Sequence, residues 1–239
     1  MKSKVYFSSS ITPEKVLELY KLMGKELTGN VALKVHSGEP GNQNFIHPEF
    51  WKDIVDHVGG TIVECNTAYE GGRDTAEHHM QTFKKHGWTD HYAVDLLDAQ
   101  GPDLVLDIPN GKQIQKNYVG KDITAYDSAL ILSHFKGHPM GGYGGALKQL
   151  SIGFASSYGK KYIHGVGDVD NFWKSDRNQF LEAMADAAGS VIEFFKGQIL
   201  YVNVMKNMEF VLDLEIKNLK KLWVYNHLIC AKNLIAINV

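Results

Sequence analysis

The run Ser133 to Lys148, SHFKGHPMGGYGGALK, gathers residue types that do chemistry. His134 and His138 come first, Gly141, Gly142, Gly144 and Gly145 follow, and Lys148 opens an apolar helical pattern. An imidazole is a general base or metal ligand near neutral pH. A lysine in a partly dry site is a covalent anchor or an anion partner. Glycines let backbone N–H groups approach a ligand, and a helix N-terminus favours an anion. The pattern predicts His138 and Lys148 as catalytic candidates and the four glycines as ligand contacts. His134 and, further on, His164 in KKYIHG are the metal-ligand candidates. The chain has 11 histidines, so for any one of them a purely structural role is the alternative.

Two other segments follow strand-like runs. Lys34, His36 and Glu39 cluster in KVHSGEPGN, a grouping suited to an anion or a metal; the alternative is a solvated loop whose lysine covers the sheet edge. In NTAYEGGRDT, Arg73 has the fork to clamp a carboxylate or phosphate in bidentate fashion, and Asp74 or Thr75 reads as a helix N-cap. Lys34, His36 and Arg73 are therefore ligand-binding candidates. His78, His79 and His86 read as surface residues of the following helix, because successive residues do not share a helix face. Trp88, Trp173 and Trp223 read as packing residues.

These groups need strands to carry them. Strand-like runs occur at Val5–Ser8, Val31–His36, Thr61–Cys65, Ala93–Leu97, Asp103–Ile108, Ala129–Ser133 and Gln198–Val204, with an edge or antiparallel strand at Lys112–Val119. Helical patterns start at Thr12-Pro13-Glu14 and Pro48-Glu49 and span Thr75–His86, Gly145–Ser156 and Asp176–Phe195. Strands alternate with helices about every 25–30 residues, which predicts an α/β fold with a mostly parallel sheet of βαβ units and helices on both faces. From Met208 to Val239 there is no glycine and no proline, against 23 glycines in the whole chain, so the sequence divides into 1–207 and a divergent tail, 208–239. The tail predicts a helix at Glu209–Leu222 and a strand at Leu234–Val239.

Composition narrows the function. The chain has 239 residues, 44% hydrophobic and 22% charged, with a net charge of -2, which gives no nucleic-acid footprint. Two cysteines, Cys65 and Cys230, exclude a disulfide framework and any cysteine-only zinc or iron–sulfur site within one chain. No signal peptide and no apolar run of membrane length is visible, so the expected setting is the cytoplasm, with a small anionic molecule as partner rather than a nucleic acid or a membrane.

The segments LKVHSGEPGN, CNTAYEGGRDTAEHHMQTFKKHGW, SHFKGHPMGGYGGALKQLSIGFAS and ILYVNVMKNM resemble the DUF362 family, in order, from about Val5 to Met208. That family is often labelled as iron–sulfur centre proteins, and the resemblance implies a metal, a cofactor or a small anionic ligand at the glycine turn. Members typically carry a ferredoxin-like insert with CxxCxxCxxxC spacing and a later cysteine-and-acid motif; neither occurs here, so an iron–sulfur cluster is not expected in this chain. A divergent end or a change of reading frame near Met208 accounts for the tail. Loss of a C-terminal segment would expose apolar surface and favour a homo-oligomer. A more distant resemblance is to the nickel-pincer lactate racemases, in which nine residues separate a histidine from a lysine, as they separate His138 from Lys148. That resemblance implies a nicotinate-derived nickel cofactor tethered by Lys148, His138 as acid/base, His164 as nickel ligand, and a substrate loop at Asn66–Thr75. An electron-transfer protein and a non-catalytic ligand-binding or structural domain are the rival expectations.

Overall fold

The structure, a computed structural model, describes residues 4–138, 140–207 and the backbone of 234–238. The strands are β1 (Val5–Ser8), β2 (Val31–Lys34), β3 (Thr61–Glu64), β4 (Val94–Leu96), β5 (Leu104–Asp107), β6 (Lys116–Val119), β7 (Ser128–His134), β8 (Lys136–His138), β9 (Gly142–Gly144), β10 (Ile199–Met205) and β11 (Leu234–Asn238). The helices are α1 (Pro13–Leu22), α2 (Lys52–Val58), α3 (Ala76–Lys85), α4 (Trp88–His91), α5 (Ala146–Ser151), α6 (Ser157–His164) and α7 (Arg177–Phe194). One sheet runs in the order β1-β11-β10-β7-β2-β3-β4. Its five strands from β10 to β4 are parallel, and β11 lies antiparallel between β1 and β10. The expected α/β fold with a mostly parallel sheet is the observed one. The expected C-terminal strand is present as β11; the expected helix Glu209–Leu222, Trp223 and Cys230 lie outside the described residues.

Strand alternation explains the layers. Leu33, Leu130, Leu132, Leu200 and Val202 point to one face, where α1, α2 and α3 cover them with Val16, Leu19, Ile54 and Phe83. Ala32, Val63, Ala129 and Ile131 point to the other face and meet Leu150 of α5, Phe154, and Ala188 and Val191 of α7. Every residue of β7 is buried, as expected of a central parallel strand covered on both sides. Caps set the helix starts: Thr12 accepts from the Lys15 amide, Ser156 from Gly159, and Asp176 from Asn178 and Gln179.

Two differences from the sequence reading matter for the site. The predicted helix Gly145–Ser156 is the six-residue α5 followed by a turn, and α6 then starts at its own Ser156 cap. Sequence patterning missed α6 because Gly153, Ser156, Ser157 and Gly159 read as breakers. The glycine run is also not a simple strand-to-helix bend. It folds back as an antiparallel hairpin in which Lys136, Gly137 and His138 face Gly144, Tyr143 and Gly142. Gly142 turns with φ +78, a left-handed conformation that favours glycine.

Asp98, buried just beyond β4, ties two site segments together. Its carboxylate accepts the Asn66 amide after β3 and the Ser157 amide at the start of α6, each at 2.9 Å. Asp98→Ala leaves both amides without that partner, at about 1–3 kcal/mol each. The expected result is a lower urea midpoint at unchanged m-value, with Asp98→Asn, which keeps one acceptor oxygen, falling between the two.

Candidate functional site

Lys34, Glu64 and His134 are the last residues of β2, β3 and β7, three neighbouring parallel strands. The chain lays down β2, β3 and β4 in one direction and then crosses back to place β7 and β10 on the other side of β2. The strand order thus reverses between β2 and β7, which is where a doubly wound sheet opens a crevice beyond its strand ends. A cavity of about 510 Å³ lies there. Its wall includes Lys34, His36, Arg73, His134, His138, Gly144, Gly145, Lys148 and His164, so nine of the eleven sequence-predicted site residues meet on one hollow. Gly141 and Gly142 line a separate hollow of about 190 Å³ beside it, and Lys148 borders both.

Glu64 organises the floor. The Ser37 amide donates to it at 2.5 Å, Lys34 Nζ lies 3.8 Å away, Arg73 Nη1 3.4 Å, His79 Nε2 3.8 Å and His36 Nδ1 4.0 Å. Burial pushes the Glu64 carboxyl up, but Lys34 and Arg73, aided by His79 and the Ser37 amide, overcome this and hold it at about 2. Lys34 is 1% exposed and donates to the Val35 carbonyl at 2.7 Å and to Gln149 Oε1 at 2.9 Å. It is a buried floor cation and not the solvated edge lysine of the alternative reading. Burial lowers its pKa, against the pull of Glu64.

Arg73 is engaged by its own chain. It pairs with Glu39 through Nη2 and Nε and with Glu64 through Nη1, and Tyr69 Oη also donates to Glu39 at 2.8 Å. A ligand carboxylate therefore meets Arg73 with its fork already filled. Thr75 is the N-cap of α3, accepting from the His78 amide at 3.2 Å, as the capping reading expected.

The glycine segment departs from the expected amide cradle. The Gly141 N–H donates to His138 Nδ1 at 3.0 Å, and the Ala146 N–H donates to Asn203 Oδ1 at 2.9 Å. At Gly144 a Cβ would meet Lys148 Cδ at 3.6 Å and Lys136 Cγ at 3.9 Å, ordinary contacts, so both lysine stems run beside it. At Gly145 a Cβ would press to 2.9 Å from both Asn203 Oδ1 and the Phe135 ring, which explains glycine by space alone. With α5 only six residues long, lysines rather than a helix end supply the positive potential.

The histidines sort by partner. His134 Nε2 donates to the Lys206 carbonyl at 2.6 Å. His164 Nδ1 donates to the Lys160 carbonyl at 2.7 Å, which leaves Nε2 as the basic nitrogen of the neutral ring. His138 is the converse: its Nδ1 accepts from Gly141, so its Nε2 carries the proton. Burial, then Lys148 and His164, lowers His138 to about 3; burial outweighs the Lys160 carbonyl and lowers His164 to about 4. His36 accepts from Lys136 Nζ at 3.1 Å, and burial with Lys136 and Arg73 pushes its pKa well down.

His79 overturns the surface reading. It is fully buried, bonded to Asn66 Oδ1 at 3.2 Å and to Ser37 Oγ at 3.4 Å, and lowered to about 3 mainly by burial. His79, Phe83 and His86 recur at four- and three-residue steps, a helical stripe that the sequence displays and that faces the sheet. Its neighbour His78 is exposed, as expected, and His86 donates to the Ser37 carbonyl at 2.8 Å. Trp88 packs in the core, but Trp173 is 66% exposed and sits with Phe172 on the cavity wall.

Sequence reasoning missed Lys136, Lys160 and Glu64. Lys160 is buried, donates to the Ala155 carbonyl at 2.6 Å, and stands four residues before His164 on α6, a same-face spacing that would have flagged it had the helix been recognised. Lys148 is lowered to about 7, first by burial and then by Lys136, Arg73, Lys160 and Lys34.

Among the described residues no group of three or more His, Cys, Asp and Glu side chains could hold a metal ion. Cys65 donates its thiol to the Phe154 carbonyl at 3.4 Å, and burial raises its pKa, so it is a protonated wall residue. No helix among the described residues is long and apolar enough to cross a membrane.

The fold agrees with the comparisons. The profile of DUF362, a domain of unknown function, matches residues 31–239, and the chain belongs to that family. Among solved structures, the lactate racemase apoprotein from Thermoanaerobacterium thermosaccharolyticum is similar at a TM-score of 0.51 and 14% identity, covering 83% of this chain and 50% of that one. A protein from Thermotoga maritima is similar at a TM-score of 0.54 and 14% identity, covering 88% of this chain and 54% of that one. At this identity the likeness shows the fold, and the chain spans about half the length of each. No curated protein matches.

Two solution measurements check the electrostatics. Imidazoles titrate at ~6.5 in the unfolded chain, against about 3 for His79 and His138 and about 4 for His164 in the fold. Between those values the unfolded state binds more protons, so stability is full above the unfolded pKa and falls as pH drops. Glu64 adds the same sign lower down, from ~4.3 unfolded to about 2. The urea midpoint is expected to decline steadily from mildly acidic pH downward. Lys148 has the same sign in an alkaline window: its unfolded pKa of ~10.4 exceeds its folded value of about 7, so wild-type stability rises with pH between the two. Lys148→Met is expected to melt higher than wild type at neutral pH and to lack that alkaline rise.

Proposed function

We propose that this DUF362 domain binds a small anionic molecule in the strand-end cavity. The observation that carries the reading is charge: the wall brings together Lys34, Arg73, Lys136, Lys148 and Lys160 against two carboxylates, Glu39 and Glu64. Buried cations without matching anions are costly, and a ligand bearing negative charge relieves that cost. Glu64 and Glu39 answer Lys34 and Arg73, and the wall as a whole still carries more cations than carboxylates, which favours an anion. The volume suits a metabolite-sized ligand, and Met140, Ile152, Phe172 and Trp173 offer it an apolar side.

His138 is the acid/base candidate, because its Nε2–H is a donor fixed by the Gly141 amide, and His164 presents the complementary basic nitrogen. The donor set does not fit a resident metal held by protein groups alone. A metal that arrives on an organic ligand, as the racemase resemblance implies, needs fewer protein donors, and His164 Nε2 would be one. The cysteine count supports the expected reducing, cytoplasmic setting, and one buried protonated thiol gives an iron–sulfur centre no support.

Thermal melting against a panel of small carboxylates, phosphates and sulfonates tests the reading. At least one class is expected to raise the melting temperature; a ligand at a hundred times its Kd stabilises by about 2.7 kcal/mol. The shift should shrink with added salt and in Lys136→Met. A flat response across the panel rules the anion site out.

A further inference from the structure

The lysines of the cavity are not equivalent. Lys34 is held by the Val35 carbonyl and Gln149, Lys160 by the Ala155 carbonyl, and Lys136 by His36. Among the described residues, none forms a hydrogen bond or ion pair with Lys148 Nζ, although its stem is steered past Gly144 to the cavity wall. The groups acting on it through space are cations: Lys136, Arg73, Lys160 and Lys34. Positive neighbours and partial dryness keep an amine neutral, which is the form that attacks carbonyl carbon. Its lowered pKa, about 7, agrees with this.

We propose that Lys148 forms an imine with a 2-oxo acid whose carboxylate is drawn by the neighbouring lysines. The proposal rests on the anion-site reading and adds a carbonyl to the ligand. The Lys148 Nζ lone pair adds to the keto carbon, and the C=O π pair moves to oxygen, which takes a proton. Nitrogen gives up one proton, the carbinolamine hydroxyl takes another and leaves as water, and the C=N bond forms as nitrogen gives up its second proton. Amine and ketone are thus converted to imine and water, with no oxidant or reductant. These proton transfers need a donor and an acceptor nearby. His164 takes a proton from nitrogen at its Nε2 lone pair and returns it to oxygen as the imidazolium, while His138 steadies the oxygen with a hydrogen bond from its Nε2–H. The apolar rim at Phe172 and Trp173 suits an oxo acid with an aromatic or branched tail.

Reductive trapping tests this on the intact chain. The protein is incubated at neutral pH with phenylpyruvate and sodium cyanoborohydride and then examined by intact mass and peptide mapping. The expected result is a single dominant adduct, mapped to Lys148 and suppressed by excess phenyllactate, which has the carboxylate but no ketone. Lys148→Arg should keep a phenyllactate-induced melting shift and lose the adduct. An adduct spread over exposed lysines with Lys148 unlabelled overturns the proposal. If phenyllactate raises the melting temperature but no adduct forms with phenylpyruvate or pyruvate, the imine is wrong while the anion site stands. If neither acid shifts melting and no adduct forms, the imine falls; a flat response across the wider anion panel as well takes the anion site with it.

Discussion

The buried carboxylate of Glu64 is the constraint around which the strand ends are arranged. It takes an amide from one loop and draws Lys34, Arg73 and two imidazoles toward a single point. A unit charge pair at contact distance is worth about 4 kcal/mol at an effective dielectric of 20, whereas desolvating each ion costs several kcal/mol. One carboxylate can therefore hold two cations in place, but it cannot satisfy five. Glu39 relieves part of the imbalance by taking the outer side of Arg73. The wall as a whole keeps an excess of positive charge. Burial first, and that field second, keep His36 and His138 uncharged and lower Lys148.

Topology explains why this cluster sits where it does. Parallel strands deliver their last residues to one edge of the sheet, and the reversal between β2 and β7 leaves that edge open between two diverging crossover connections. The layers behind it are conventional, with aliphatic side chains alternating between two cores. The open edge then has to be closed by loops. Here the β8–β9 hairpin, helices α5 and α6 and the loop that carries Glu39 do so, and they bring Lys136, Lys148, Lys160 and Glu39 with them.

The fold was legible because apolar runs and helix starts recur at a regular interval, and so was the site's position, because a glycine-rich segment follows a wholly apolar strand. His138, Lys148 and His164 were visible for the same reason: chemistry-bearing types crowd the end of β7 and the helices after it. The Glu64 hub was not visible, since an acid at a strand end looks like any edge residue until its partners arrive from 30 residues before and 9 after. Arg73 was read as a clamp for a ligand carboxylate or phosphate; in the fold its fork is taken by the chain's own Glu39 and Glu64, which only the fold brings to it. The glycines misled in a specific way. A glycine-dense turn before a helix has the composition of an amide cradle, yet here Gly142 serves a hairpin and Gly145 a close approach.

The two imidazoles show how backbone bonds can set chemistry. Gly141 donates to one ring and Lys160 accepts from the other, so neutral His138 and neutral His164 are fixed in opposite tautomers. At neutral pH the pair therefore offers one proton and one lone pair without carrying charge. Burial and the surrounding lysines keep both rings from protonating in the absence of an anion. On the proposed anion-site reading, an entering anion would offset that field and raise both pKa values toward the range where imidazole exchanges protons readily. Anion binding and proton availability would then be the same event in this cavity, because a ligand that neutralises the lysines also brings the imidazoles into play.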